Sequence, residues 1–193
     1  MNINKLLTHF SNYIPLNDEE ITELSNRVIE RNVKRKEFIL QKNDICNNYT
    51  FIVSGLFKMY TVDKNGAEHI LHFASENDWI CDINSFHNKK QSLLYIDAIE
   101  PSTIIQIDNS NLMYLFTHYQ KFDRTFRVLI ENKFMELENR ILQNISSKAE
   151  ERYQFFLEQY PNICNRIPNV LIASYLGITP EFLSKIRNAI SKK

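Results

Sequence analysis

The stretch NVLIASYLGITPEFLSKIRNAI, Asn169 to Ile190, has helical apolar spacing with a single glycine, Gly177, in its middle. Glycine inside a helix costs about 1 kcal/mol relative to alanine, so the break serves a structural end. Ile172, Ala173 and Leu176 form an apolar face before it, and Leu183 and Ile186 form another after it. Ala173 is small, as a close helix crossing requires. Gly177 allows a left-handed turn where the first helix stops. Ile178 plugs the space between the two helices, Thr179 caps the second, and Pro180 suits its first turn. The pattern predicts a helix-turn-helix. An ordinary helical hairpin would not need the small residue, the glycine and the hydrophobes at these offsets.

The second helix, Pro180 to Ile190, then turns its polar residues outward. In a helix-turn-helix this face enters the major groove of DNA. Glu181 is matched to a cytosine amino group and Lys185 to guanine. Thr179, Arg187, Lys192 and Lys193 suit phosphates, which position without specifying. The candidate DNA-binding set is Thr179, Pro180, Glu181, Ser184, Lys185, Arg187 and Asn188. Net charge over the chain is zero, but residues 147–193 hold seven Lys and Arg against four Asp and Glu. This end is the better partner for a polyanion.

Working back toward the N-terminus, AEERYQFFLEQYP predicts a helix ended by Pro161, with SSK at 146–148 as a hinge before it. A long helix is expected from about Phe122 to about Ser146. Its apolar stripe is Phe126, Ile130, Phe134, Leu137, Ile141 and Ile145, with charges on the other faces. A helix roughly 36 Å long needs a partner along its length. A two-stranded coiled coil between subunits meets that need, and so does packing against the chain's own body. Before it, NLMYLF predicts a helix near Ser110. EFILQ, YTFIVSG, LFKMYTV, EHILHFA, SLLYIDAIE and TIIQI are short, β-branched and separated by turns, one of them at Gly66. They predict an antiparallel roll or barrel. Asn17 with Glu20 predicts a capping box on a helix whose face includes Leu16, Ile21, Leu24 and Val28.

The fold class expected is α+β. An N-terminal antiparallel β-roll of the jelly-roll type with flanking helices spans 1–120, a dimerisation helix 121–146, and an all-α helix-turn-helix domain 147–193. No apolar run spans a bilayer and no leader is evident, so the expectation is a cytoplasmic protein with no membrane partner. Cys46, Cys81 and Cys164 are far apart, odd in number and outside any CxxC motif. Three reduced thiols are expected, with no metal site and no cofactor.

With these parts in this order, the chain resembles the Crp/Fnr family of bacterial transcription factors. FIVSGLFKMYTVDKNGAEHILHF, ENDWICDINSF and IASYLGITPEFLSKIR carry the resemblance, and Gly55, Gly66 and Gly177 fall at typical family positions. It implies a homodimer on double-stranded DNA that activates or represses promoters, with RNA polymerase as a partner. Cyclic-AMP-binding relatives have a phenylalanine-glycine-glutamate motif, then an arginine, a small polar residue and alanine. Here Trp79 leads into Ile80, Cys81 and Asp82, and the arginine's place falls near Leu93 or Leu94. Leucine cannot pair with a phosphate, so cyclic AMP binding is expected to be lost and the effector is unknown. Trp79, Ile80, Cys81, Asp82, Leu93 and Leu94 make up this degenerate effector pocket. Lys89 and Lys90 are nearby cations whose plainer reading is a solvated loop. Many relatives carry arginine where Pro180 stands, so the DNA site preferred should differ. Little chain follows Ile190, which leaves no room for a β-wing.

Three other readings compete. A cupin-like metal enzyme would use Glu68, His69 and His72, but three-residue spacing on a strand points the two histidines to opposite faces. A haem or redox sensor of the same family would draw on His9, His69, His72, His87, His118 or a cysteine. A ligand-free regulator would use the roll as scaffold alone. No catalytic motif is visible, so no enzyme is expected.

Overall fold

A computed structural model describes residues 2–190; Lys192 and Lys193, expected at phosphates, lie outside them. The elements run α1 (Ile3–Ser11), α2 (Asp18–Ser25), β1 (Ile29–Val33), β2 (Phe38–Leu40), β3 (Asn48–Ser54), β4 (Phe57–Val62), β5 (Glu68–Ala74), β6 (Trp79–Ile80), α3 (Ile83–Asn88), β7 (Tyr95–Ala98), β8 (Ser102–Asp108), α4 (Asn109–His118), α5 (Gln120–Ser146), α6 (Ala149–Gln159), α7 (Asn169–Leu176) and α8 (Pro180–Ile190). The strands form two four-stranded sheets, ordered β1-β8-β3-β6 and β2-β7-β4-β5. The α+β architecture expected is therefore present: a β domain with flanking helices, a long helix and a closing set of helices. No helix of the described residues is long and apolar enough to cross a membrane.

The chain divides into two compact units, Met1–Met59 with Phe73–Asn132, and Tyr60–His72 with Lys133–Lys193. In the first, Tyr49, Thr50, Phe51, Ile52 and Val53 of β3 are all buried. Both faces of the strand are covered, and its buried run is apolar except for Thr50, whose hydroxyl accepts from Gln106 Nε2 at 3.1 Å. Tyr49 and Phe51 meet the Trp79 ring at 5.7 and 5.2 Å. Phe126, near the start of α5, lies 5.0 Å from Trp79, 5.4 Å from Tyr49 and 6.1 Å from Phe10. The capping box forms: the Glu20 amide donates to Asn17 Oδ1 at 2.8 Å, and the Asn17 amide to Glu20 Oε2 at 2.7 Å. α2 ends at Ser25, so Val28 is buried from outside the helix.

The second unit joins the hairpin tip, residues 60–72, to the C-terminal part of α5 and to α6, α7 and α8. Polar side chains of the helices bind the hairpin's backbone. Arg140 donates to the carbonyls of Leu71, of Ile70 at 2.9 Å and of Tyr175 at 2.9 Å, with its guanidinium 4.0 Å from the Tyr175 ring centroid. Ser174 Oγ accepts from the Ile70 amide at 3.2 Å and donates to the Glu68 carbonyl at 2.5 Å.

His9 is buried in the first unit, where its Nε2 accepts from Trp79 Nε1 at 3.2 Å. That bond requires a neutral ring, and burial lowers the His9 pKa from its ordinary 6.5. The unfolded chain then binds a proton that the folded chain refuses. The stability is fully present above about pH 6.5 and is lost as pH falls below it. His9→Gln keeps an acceptor but does not titrate. Thermal unfolding followed from about pH 7 to about pH 5 should show a smaller loss of Tm in this variant than in the wild type. An equal loss would exclude His9 as the source.

Candidate nucleic-acid interface and effector site

α7 ends in a Schellman turn. Gly177 has φ 66°, its amide donates to the Ser174 carbonyl at 3.2 Å, and the Ile178 amide reaches the Ala173 carbonyl at 3.0 Å. Arg152 adds a donor to the Leu176 carbonyl at 3.1 Å. Ile172, Ala173, Leu176, Leu183 and Ile186 are buried, while Ile178 is half-buried in the angle between the helices. Thr179 Oγ1 accepts from the Phe182 amide at 3.2 Å and caps α8.

The outer face of α8 is exposed at Pro180, Glu181, Ser184, Lys185, Arg187 and Asn188. These residues do not stand alike. Glu181 accepts from its own amide and from the Thr179 hydroxyl, which holds its carboxyl below the usual range and keeps it ionised. Ser184 Oγ donates back to the Pro180 carbonyl at 3.0 Å. Arg187 donates to Asn169 Oδ1 at the start of α7. Lys185 has no hydrogen-bond or ion-pair partner among the described residues. Phe182 and Val170 are exposed by 42% and 58%. The sequence reading passed over both, although their place outside the apolar faces was the signal available.

In the effector region, Ile80, Cys81 and Asp82 are buried and Trp79 is half-buried. Asp82 caps α3: its Oδ1 accepts from the Ser85 amide at 3.1 Å and its Oδ2 from Ser92 Oγ at 2.6 Å. The residue facing this carboxylate is thus Ser92, whereas Leu93 is 69% exposed and Leu94 half-buried. Lys89 lies 5.4 Å over the Phe86 ring, and the Lys90 carbonyl accepts from Ser85 Oγ at 2.6 Å. The group that meets Asp82 directly is thus the Ser92 hydroxyl.

The stripe on α5 divides. Phe126 is buried in the aromatic cluster, so it belongs to the core of the first unit. Ile130, Phe134, Leu137, Ile141 and Ile145 are exposed by 41, 59, 42, 58 and 79%, and Val128, Met135 and Leu142 join them on the surface. No group of three or more His, Cys, Asp or Glu suited to a metal occurs among the described residues. His69 pairs with Asp63 at 3.0 Å. Desolvation, then the charges of Lys133 and Arg140, hold the His72 pKa down to about 3.

Residues 30–119 match the cyclic nucleotide-binding domain family. Electron transport regulator A of Shewanella oneidensis is 26% identical, over 92% of this chain and 75% of that protein. FixK2 of Bradyrhizobium japonicum superposes with a TM-score of 0.74 at 18% identity, over 86% of this chain and 85% of that one. A structure from Eubacterium rectale assigned to the Crp/Fnr family of transcriptional regulators superposes with a TM-score of 0.71 at 20% identity, over 93% and 88%. The chain thus shares the fold of these regulators, and residues 30–119 match the cyclic nucleotide-binding domain.

Proposed function

We propose that the protein is a homodimeric, DNA-binding transcription regulator of the cytoplasm that reads a two-fold symmetric promoter site with α8. The observation that carries the reading is α8 itself. Its inner face is buried on α7 and its outer face is wholly exposed and mostly polar. Lys185 is the residue fitted to a guanine edge, and Phe182 offers an apolar surface to a thymine methyl. Arg187, held on Asn169, suits a phosphate. The exposed stripe of α5 supports the dimer. Fully burying such a side chain gains about 1.5–3 kcal/mol, and a row of this length on a monomer is unusual. A dimer would present two half-sites about 34 Å apart. RNA polymerase is the partner proposed at the promoter. Any effector acts at the β domain by shifting populations, and the Asp82–Ser92 bond argues that it is not cyclic AMP.

Selection of binding sites from random duplex DNA, at fixed salt and without ligand, should recover a palindromic site. If a folded dimer recovers nothing, the reading of α8 as competent without an effector is wrong. Lys185→Ala should weaken binding to that site by about 1–3 kcal/mol and relax preference at one base pair of each half-site; unchanged affinity and preference would take Lys185 out of the interface. For the dimer, Phe134→Glu with Ile141→Glu should halve the mass in solution measured by light scattering. A dimer that survives both substitutions would mean that α5 is not its seam.

A further inference from the structure

Cys46 and Cys81 are 35 residues apart in sequence, yet their sulfurs lie 3.7 Å apart and both residues are buried. Ser85 Oγ holds the Cys46 amide at 2.8 Å, and the Cys46 thiol lies 3.5 Å from the Asn48 carbonyl. The sulfurs thus face each other from anchored backbone, and a disulfide requires them to close to about 2.05 Å. We propose that Cys46 and Cys81 are a redox-active dithiol, closed to an intrachain disulfide by an oxidant of the hydroperoxide class and reopened by thiols.

The two sulfurs are not equivalent. The two thiols share one hydrogen bond in which either sulfur can donate, the Asp82 amide gives Cys46 another, and the Cys46 pKa is lowered. Burial, then the bond to Cys46, pushes the Cys81 thiol up. Cys46 is therefore the attacking sulfur, because the thiolate is the nucleophile. It takes the terminal oxygen of the hydroperoxide, the O–O bond breaks, and the alcohol (water, for hydrogen peroxide) leaves with the thiol proton. Cys46 is then a sulfenic acid. The Cys81 sulfur attacks it, the S–O bond breaks, and water leaves with the second proton. Two thiols have lost two electrons, and one peroxide has become an alcohol and a water. Burial selects the oxidant: residue exposures of 5% at Cys46 and 9% at Cys81 admit a small neutral peroxide more readily than a bulky charged disulfide. Cys164, half-buried and in the other unit, is an internal control.

The test uses the full chain, reduced and then exposed to hydrogen peroxide. It is denatured, alkylated and read by intact mass and peptide mapping. Reduced protein should take three labels, since all three cysteines are free. Oxidised protein should take one, at Cys164, with Cys46 and Cys81 recovered as one linked peptide that dithiothreitol separates. Retention of all three labels would overturn the proposal. So would a bond that includes Cys164, or sulfinic acid on either buried cysteine. A folded Cys81→Ser protein should retain Cys46 as a sulfenic acid captured by dimedone, an adduct much weaker in the wild type; its absence would overturn the assignment of Cys46. The readout is sulfur alone, so the result is independent of whether α8 binds DNA.

Discussion

The first unit depends on the packing of Trp79 against Phe126. The ring of Trp79 is bounded by Phe51 and Tyr49 of β3, by Phe10 and His9 of α1, and by Phe126 of α5. Each aromatic pair adds about 0.5–1.5 kcal/mol beyond the area it buries. Their shared centre matters more than the sum, because one ring fixes a strand and two helices at once. The start of α5 is set there.

The second unit uses a different chemistry. Arg140 and Ser174 bind backbone carbonyls and an amide of the hairpin tip, so the contact reads the path of the chain and not its side chains. A planar guanidinium suits three carbonyls at once, and it also stacks on Tyr175. Lysine at this position would have neither the fork nor the plane.

What the sequence made legible was local chemistry. Gly177, Thr179, Pro180 and the Asn17–Glu20 box each act within a few residues, so the ends of α2, α7 and α8 could be read directly. The strands from β2 to β5 were legible from β-branched and aromatic runs. α1 escaped because Asn2 makes no side-chain cap. β1, IERNV, escaped because it is mostly polar, and β6 because it has two residues. The candidate site was legible on α8, where helical period decides which residues face out. Side-chain partners were not legible where tertiary contact decides them. Phe126 shares the period of Ile130 but is buried, Arg187 bonds Asn169, and the partner of Asp82 is Ser92. The approach of Cys46 to Cys81 has no trace in the sequence, since it depends on how α3 and the start of β3 come together.

The Asp82–Ser92 bond has a thermodynamic consequence. A ligand shifts a two-state equilibrium only by the difference in its affinity for the two states. Where a loop is disordered until a ligand binds, ordering supplies much of that difference. Here the turn between α3 and β7 is already closed from within: Asp82 caps α3 and holds Ser92, and Ser92 exchanges backbone hydrogen bonds with Asn43 and Asp44. Little disorder remains for a ligand to remove. A small molecule that displaced Ser92 from Asp82 would have to offset the loss of a buried hydrogen bond before it gained one of its own.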